Sequence, residues 1–259
     1  MNWHYIEHGQ GRPLVLLHGI GMSHNAWNAV IPLLARHRRV IAFDLPGFGR
    51  SRMLPDGRVP NARNIVMDLK RMLDQLGVET PVDIAGNSLG GYLALEAARH
   101  GIARSVVALS PAGLWKGHVA PKHITMMFDV MRTSIKRFPR FSKAVLAVPP
   151  ARALLMAVPV SSRAHRMPAR EAMVAAHNFV HGPGFDATKD AVEPFLGGHD
   201  IGVPLTVAFG DRDWLLNKQC QHRDELPGHT RWLQPRGWGH VPMWDDPDGV
   251  ARMILQGTE

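Results

Sequence analysis

The sequence predicts an α/β fold: a mostly parallel, doubly wound sheet with a helical segment inserted before the last two core strands. Three observations carry this. Short continuous apolar runs recur along the chain and alternate with stretches of helical period. The rhythm stops between Leu114 and about Asp200, where no strand-like run occurs. The apolar run Val82, Ile84, Ala85 leads straight into Gly86-Asn87-Ser88-Leu89-Gly90 and then into the helix-like run Tyr92–Ala98.

The elements follow in order. Trp3–Glu7 reads as an edge strand, and Pro13–Leu17 as a buried strand ending at His18-Gly19. Trp27–Ala35 reads as a helix, Arg39–Phe43 as a strand, and Ala62–Leu76 as a helix whose apolar face is Ile65, Leu69, Met72, Leu73 and Leu76. Val82–Ala85, Ser105–Leu109, Leu205–Phe209 and Thr230–Leu233 are the further strands, and Gly249–Leu255 is a closing helix. Within the break, Ile124, Met127, Phe128, Met131 and Ile135 form one helical stripe, and Pro150 and Pro168 suit a helix's first turn.

At 259 residues with 45% hydrophobic content, one large domain with an insertion is expected. The single cysteine, Cys220, excludes an internal disulfide, fits a reducing compartment, and reads as a packed or partly exposed residue and not a nucleophile. Met1–Glu7 has no basic start followed by an apolar core, so no signal peptide is expected. The longest apolar stretch, Ala144–Val160, carries Arg152 and is broken by Pro149, Pro150 and Pro159; it is too short for a membrane span. A soluble, cytoplasmic protein is the reading. The net charge of +8 is concentrated: Lys116–Arg170 holds eleven Lys or Arg and one acid, Asp129, while the remainder holds nineteen bases and twenty-one acids. That segment reads as a solvated helical face or as an attractor of anionic substrates or an anionic membrane surface. With neither Tyr nor Trp after Trp115 in the segment and no recognition motif, nucleic acid is not an expected partner.

The chemistry starts at Ser88. Strand, Gly-x-Ser-x-Gly and helix in succession make a nucleophile elbow: a strained, sharp turn that lifts the hydroxyl clear of the sheet at a helix N-terminus. A serine hydroxyl needs a base to take its proton and an acid to orient that base. These partners should follow in the order Ser, Asp or Glu, His, on loops at the same sheet edge. Leu205–Phe209 runs into Gly210-Asp211-Arg212-Asp213, where either aspartate could serve; Asp213 is preferred because it lies farther past the strand, leaving Asp211 to bond turn backbone. Of fifteen histidines, His240 stands out by its glycine-flanked loop and its place after Asp213. The oxyanion donors are assigned to the backbone N–H of Leu89 and, in His18-Gly19-Ile20-Gly21, of Ile20, with His18 bonding loop backbone only.

Five segments then coincide: Leu16-Leu17-His18-Gly19, Asp44-Leu45-Pro46-Gly47-Phe48-Gly49-Arg50-Ser51, Gly86-Asn87-Ser88-Leu89-Gly90-Gly91, Gly210-Asp211-Arg212-Asp213, and Gly239-His240. Over nearly its whole length the chain resembles the α/β-hydrolase superfamily, in particular lid-bearing serine esterases, lactonases and carbon–carbon-bond hydrolases. The resemblance implies the catalytic acid at Asp213, a structural role for Asp44–Ser51, and a helical lid at residues 115–200, between core segments 1–114 and 201–259. Haloalkane dehalogenases and epoxide hydrolases carry aspartate where this chain has Ser88. Asn87 and His-Gly-x-Gly are similar to the ring-fission-product hydrolases, which commonly have Trp after the catalytic His, whereas this chain has Val241.

The expected activity is hydrolysis of a carboxylic ester, lactone or thioester of a small to medium, mainly apolar molecule through an acyl-enzyme. The alternatives are cleavage of vinylogous diketones, a cofactor-free perhydrolase or acyltransferase, and a ligand receptor that kept the fold. Met127, Phe128, Met131 and Val241 are candidate pocket residues. No metal or cofactor is expected, because no metal-ligand spacing and no phosphate loop occur.

Overall fold

A computed structural model of the protein describes residues 3–157 and 160–259. Positions 1, 2, 158 and 159, and with them the break expected at Pro159, lie outside the described residues. Seven strands form one sheet: β1 (Tyr5–His8), β2 (Pro13–Leu17), β3 (Arg39–Phe43), β4 (Val82–Asn87), β5 (Ala103–Leu109), β6 (Leu205–Ala208) and β7 (Arg231–Leu233). Their spatial order is β1-β3-β2-β4-β5-β6-β7, with β1 antiparallel to β3 and every other pairing parallel. All strands from β2 on therefore end at one edge, where the loops after them converge.

Period-2 alternation along the strands feeds two cores. Val15, Leu17, Ile41, Phe43, Ile84 and Val106 join one cluster with α2 (Ala62–Gln75) and α3 (Leu89–Arg99). Leu14, Leu16, Val40, Ala42, Ala85 and Val107 join the other with α1 (Ile31–Leu34) and the last helix (Pro247–Gly257). Both faces of the sheet are thus covered, as continuous apolar strands require.

The helix expected over Trp27–Ala35 is instead a 3-10 turn at His24–Trp27 followed by the single turn α1. Pro32 sits in the first turn of α1, the position a proline tolerates, so the α-helix starts there and not at Trp27. The closing helix begins two residues earlier than expected, at Pro247, because the Asp246 side chain caps it by accepting from the Gly249 N–H.

Between β5 and β6 the regular elements among the described residues are all helical: α4 (Lys122–Arg137), α5 (Pro139–Ala147), α6 (Pro149–Met156), a 3-10 turn at Ala164–Arg166, α7 (Ala169–His181) and α8 (Phe185–Asp190). The closing helix is then α9. Pro139 and Pro149 each open a helix, dividing the segment into short pieces. The segment carries a small core of its own around Leu146, Met156, Ala164, Met167 and Ala172.

Candidate active site

Ser88 follows β4, the central strand, with φ 55° and ψ −117°. A non-glycine residue at positive φ is strained, and here the surroundings enforce it. The Ser88 N–H is bonded to Leu109 O at 2.9 Å, and Ser88 O accepts from the Tyr92 N–H at 3.0 Å. A Cβ on Gly86 would lie 2.1 Å from Gly90 O, and one on Gly90 2.1 Å from Leu17 O, so both positions admit glycine alone.

The loops after β6 and β7 deliver Asp213 and His240, both buried. His240 Nδ1 lies 3.0 Å from Asp213 Oδ2. Asp213 Oδ1 accepts from the N–H groups of Leu215 and Leu216 at 3.1 and 2.9 Å, so three donors hold this carboxylate in place. Asp211 points elsewhere and accepts from the Gly237 N–H at 2.6 Å, bracing the loop that leads to His240. Ser88 and His240 line the same cavity, and no hydrogen bond among the described residues joins them; such contacts are commonly long before substrate binds.

Leu89 is the first residue of α3, where the backbone N–H has no intrahelical partner. Neither its N–H nor that of Ile20 has a protein acceptor among the described residues. Gly19, Ile20 and Ser88 share the cavity wall. The ring of His18, fully buried, sets this loop. Its Nε2 accepts from the Leu45 N–H at 2.9 Å, so the proton sits on Nδ1, which donates to Gly19 O at 2.7 Å. Burial drives the His18 pKa down to about 4, the nearby Asp44 charge only partly opposing it, and the ring stays neutral.

Two residues that sequence reasoning gave no role tie the site together. Asn87 Nδ2 donates to His240 O at 2.8 Å and to Leu109 O at 3.1 Å, fixing the His240 loop to the turn at Ser88. Asp245, fully buried, accepts from the Gly239 N–H at 2.6 Å and the Arg163 N–H at 2.8 Å, and from the Ser161 hydroxyl. The loop of His240 is thereby joined to the connection between α6 and α7, and the Val241 N–H adds a bond to Val160 O at 2.6 Å. The spacing of Asp245, five residues past His240, carried no signal in the sequence.

The cavity above Ser88 measures about 460 Å³ and is almost wholly apolar. Of the pocket candidates, Phe128, Met131 and Val241 line it. Met127 does not: one position round α4 from Phe128, it packs against the main core. Ala172, Ala175, Ala176 and Phe179 of α7 form a further wall at helical spacing, a stripe legible in the sequence but not singled out. A further hollow of about 40 Å³, lined by Ile20, Ser88, Leu89, Trp115, Ile124 and Lys189, adjoins the cavity at Ser88.

One group among the described residues, His4, His24 and Asp44, brings metal-ligand atoms within 4.8 Å of one another, which sequence spacing did not reveal. Hydrogen bonds account for it. Asp44 accepts from His24 Nδ1 at 2.8 Å, from the His24 and Arg50 N–H groups, and contacts His4 Nδ1 at 3.0 Å. Burial opposes the Asp44 charge, but these donors outweigh it and hold its carboxyl well below the usual range. Cys220 is buried, and burial, with the Asp213 charge adding, pushes its thiol up to about 12, so it carries no thiolate.

The sequence profile of the alpha/beta hydrolase family matches residues 14–253. The chain belongs to that family. It is 32% identical over 203 residues, 74% of this chain and 92% of the other, to epoxide hydrolase EphH of Mycobacterium tuberculosis. It is 37% identical over 115 residues to 2-hydroxy-6-oxo-6-(2'-aminophenyl)hexa-2,4-dienoic acid hydrolase of Metapseudomonas resinovorans, a match spanning 42% of this chain and 39% of that protein. The enol-lactonase of Burkholderia xenovorans LB400 shares the fold, with a TM-score of 0.74 at 19% identity over 98% of this chain and 95% of the other. Hydrolase chemistry on small molecules is the family's property, and no helix among the described residues is long and apolar enough to cross a membrane.

Proposed function

We propose that this alpha/beta hydrolase is a cytoplasmic serine hydrolase that cleaves a carboxylic ester, lactone or thioester of an apolar acyl group through an acyl-enzyme. The observation that supports this most is the convergence of Ser88 and His240 on one apolar cavity, with Asp213 bonded to the far side of the His240 ring. Asp213 accepts a hydrogen bond from the Nδ1–H of His240, which holds the ring with Nε2 unprotonated and able to take the Ser88 proton. Ser88 Oγ adds to the carbonyl carbon, and the N–H groups of Ile20 and Leu89 stabilise the oxyanion. His240 returns the proton to the leaving oxygen or sulfur. Water, activated by His240 in turn, then releases the acid and restores Ser88.

The large cavity takes the acyl group, since its volume and apolar walls are those of a small-molecule site. The small hollow adjoining it at Ser88 takes the group on the other side of the scissile bond. Residues 115–200 act as a lid over both. Serine attack on an epoxide would leave an ether with no carbonyl for water to attack, so Ser88 favours acyl transfer.

The test is a panel of acyl-length esters, lactones, epoxides and vinylogous diketones, run on wild type and Ser88→Ala. The expected result is turnover of an ester or lactone that falls by a factor on the order of 10⁴ or more in Ser88→Ala. Preferential cleavage of the diketones would move the protein to carbon–carbon hydrolysis on the same triad. Unchanged turnover in Ser88→Ala would refute the proposal.

A further inference from the structure

The helical insertion carries a surface that the chemistry at Ser88 does not use. Val130, Phe138, Phe141 and Leu155 line the cavity and are nonetheless more than half exposed, so they form its solvent-facing rim. Phe141 is 69% exposed, and Leu154, just outside the cavity, 82%. Clustered large apolar side chains in water mark a contact surface.

Lys136, Arg137, Arg140 and Lys143 are interleaved with this rim, all exposed and none paired with a carboxylate among the described residues. The one acid between Lys116 and Arg170, Asp129, is already engaged by Lys189 at 3.4 Å. The Arg137 guanidinium lies 5.5 Å from the Phe138 ring centroid, so charge and ring are presented together.

We propose that this rim docks the protein onto an anionic lipid surface, from which an acyl chain passes directly into the cavity. Cations between projecting aromatic and aliphatic side chains are what the headgroup boundary selects: the apolar groups insert, and the charges bind the lipid phosphates. The mouth of the cavity lies within the same rim, so a chain leaving the leaflet need not cross water. An apolar rim without charges would suit many partners; the uncompensated cations select a negative one. The purpose of the surface rests on the hydrolase reading, but its existence is measured apart from turnover.

The Ser88→Ala protein, which leaves lipid intact, is sedimented with vesicles of phosphatidylcholine alone or containing phosphatidylglycerol. Each Lys or Arg near an anionic leaflet is worth about fivefold in partitioning. With four such cations, binding to the anionic vesicles should therefore exceed binding to the neutral ones by on the order of 100-fold or more and weaken at high salt. Added K136E/R137E/R140E should reduce it on the order of 100-fold, and added L154S by a smaller factor. In the wild-type background, the same substitutions should leave turnover of a fully dissolved short-chain ester unchanged. Equal partitioning to both vesicles, no binding, or full binding by the reversed variant would overturn the surface. So would capture of a soluble acidic protein by the strip without vesicle binding. Failure to turn over the dissolved ester would instead remove the hydrolase reading and leave the vesicle result standing.

Discussion

At the sheet edge, Asp213 is held by three donors, His18 by two backbone partners, and Ser88 by a turn that only glycines at 86 and 90 permit. Across the cavity, the insertion leaves Phe138, Phe141 and Leu154 in solvent and interleaves the two phenylalanines with exposed cations. The first region is over-determined, and the second is held by a small core and a few bonds through Asp245. Reaction geometry needs rigidity within a fraction of an ångström, whereas substrate selection tolerates adaptable walls. Substitutions at the edge should therefore change rate, and substitutions in the insertion should change which substrate is used.

The sharpest contrast is expected at His240. Its replacement by alanine should lower kcat by a factor on the order of 10⁴ or more with Tm unchanged, and combining it with Ser88→Ala should cost little more. The two neighbouring aspartates give the next test. Asp213→Asn should cost on the order of 10³-fold in kcat/KM, and Asp211→Asn only a few-fold, as judged by steady-state kinetics on an activated ester. Similar losses at both would mean that the two loops are braced together and Asp213 has no special part.

A third contrast is read in pH. The unfolded His18 takes up a proton below about 6.5, while the folded ring stays neutral down to about 4. Between these values the unfolded state binds more protons, so stability should fall as pH falls through this window, by up to about 3 kcal/mol. Urea unfolding across that range measures it. Asp245→Ala removes the side-chain link between the regions and leaves the Val241–Val160 backbone bond. It should cost about 2 kcal/mol by calorimetry and slow turnover on the order of tenfold, through the freed Gly239 N–H and the loosened His240 loop. The smallest effect is expected at the wall: Met131→Ala or Phe179→Ala should shift acyl-length preference by about tenfold in relative kcat/KM, without a matching loss for the shortest acyl group.

The edge was legible in the sequence because strand periodicity, glycine punctuation and the order Ser88, Asp213, His240 are all local or ordinal signals. Asp211 and Asp213 lie two residues apart, and the first bonds backbone of the His240 loop while the second bonds the His240 ring. What stayed hidden was mostly long-range. Asp245 reaches across 82 residues to Arg163, and Asn87 across 153 to His240, through contacts that no spacing announces. The stripe on α4 was visible as a stripe, but periodicity does not say what each side faces: Met127 turned to the core, and Met131 to the cavity. The helix expected at Trp27–Ala35 shortened because Pro32 sets its own start.

The most direct measurement is acid-quenched peptide mapping within the first turnovers of an activated ester. An acyl adduct confined to the peptide carrying Ser88, forming in a burst and absent in Ser88→Ala, is the predicted result. A burst with the adduct elsewhere, or turnover with no adduct and no loss in Ser88→Ala, would contradict a serine acyl-enzyme at this elbow.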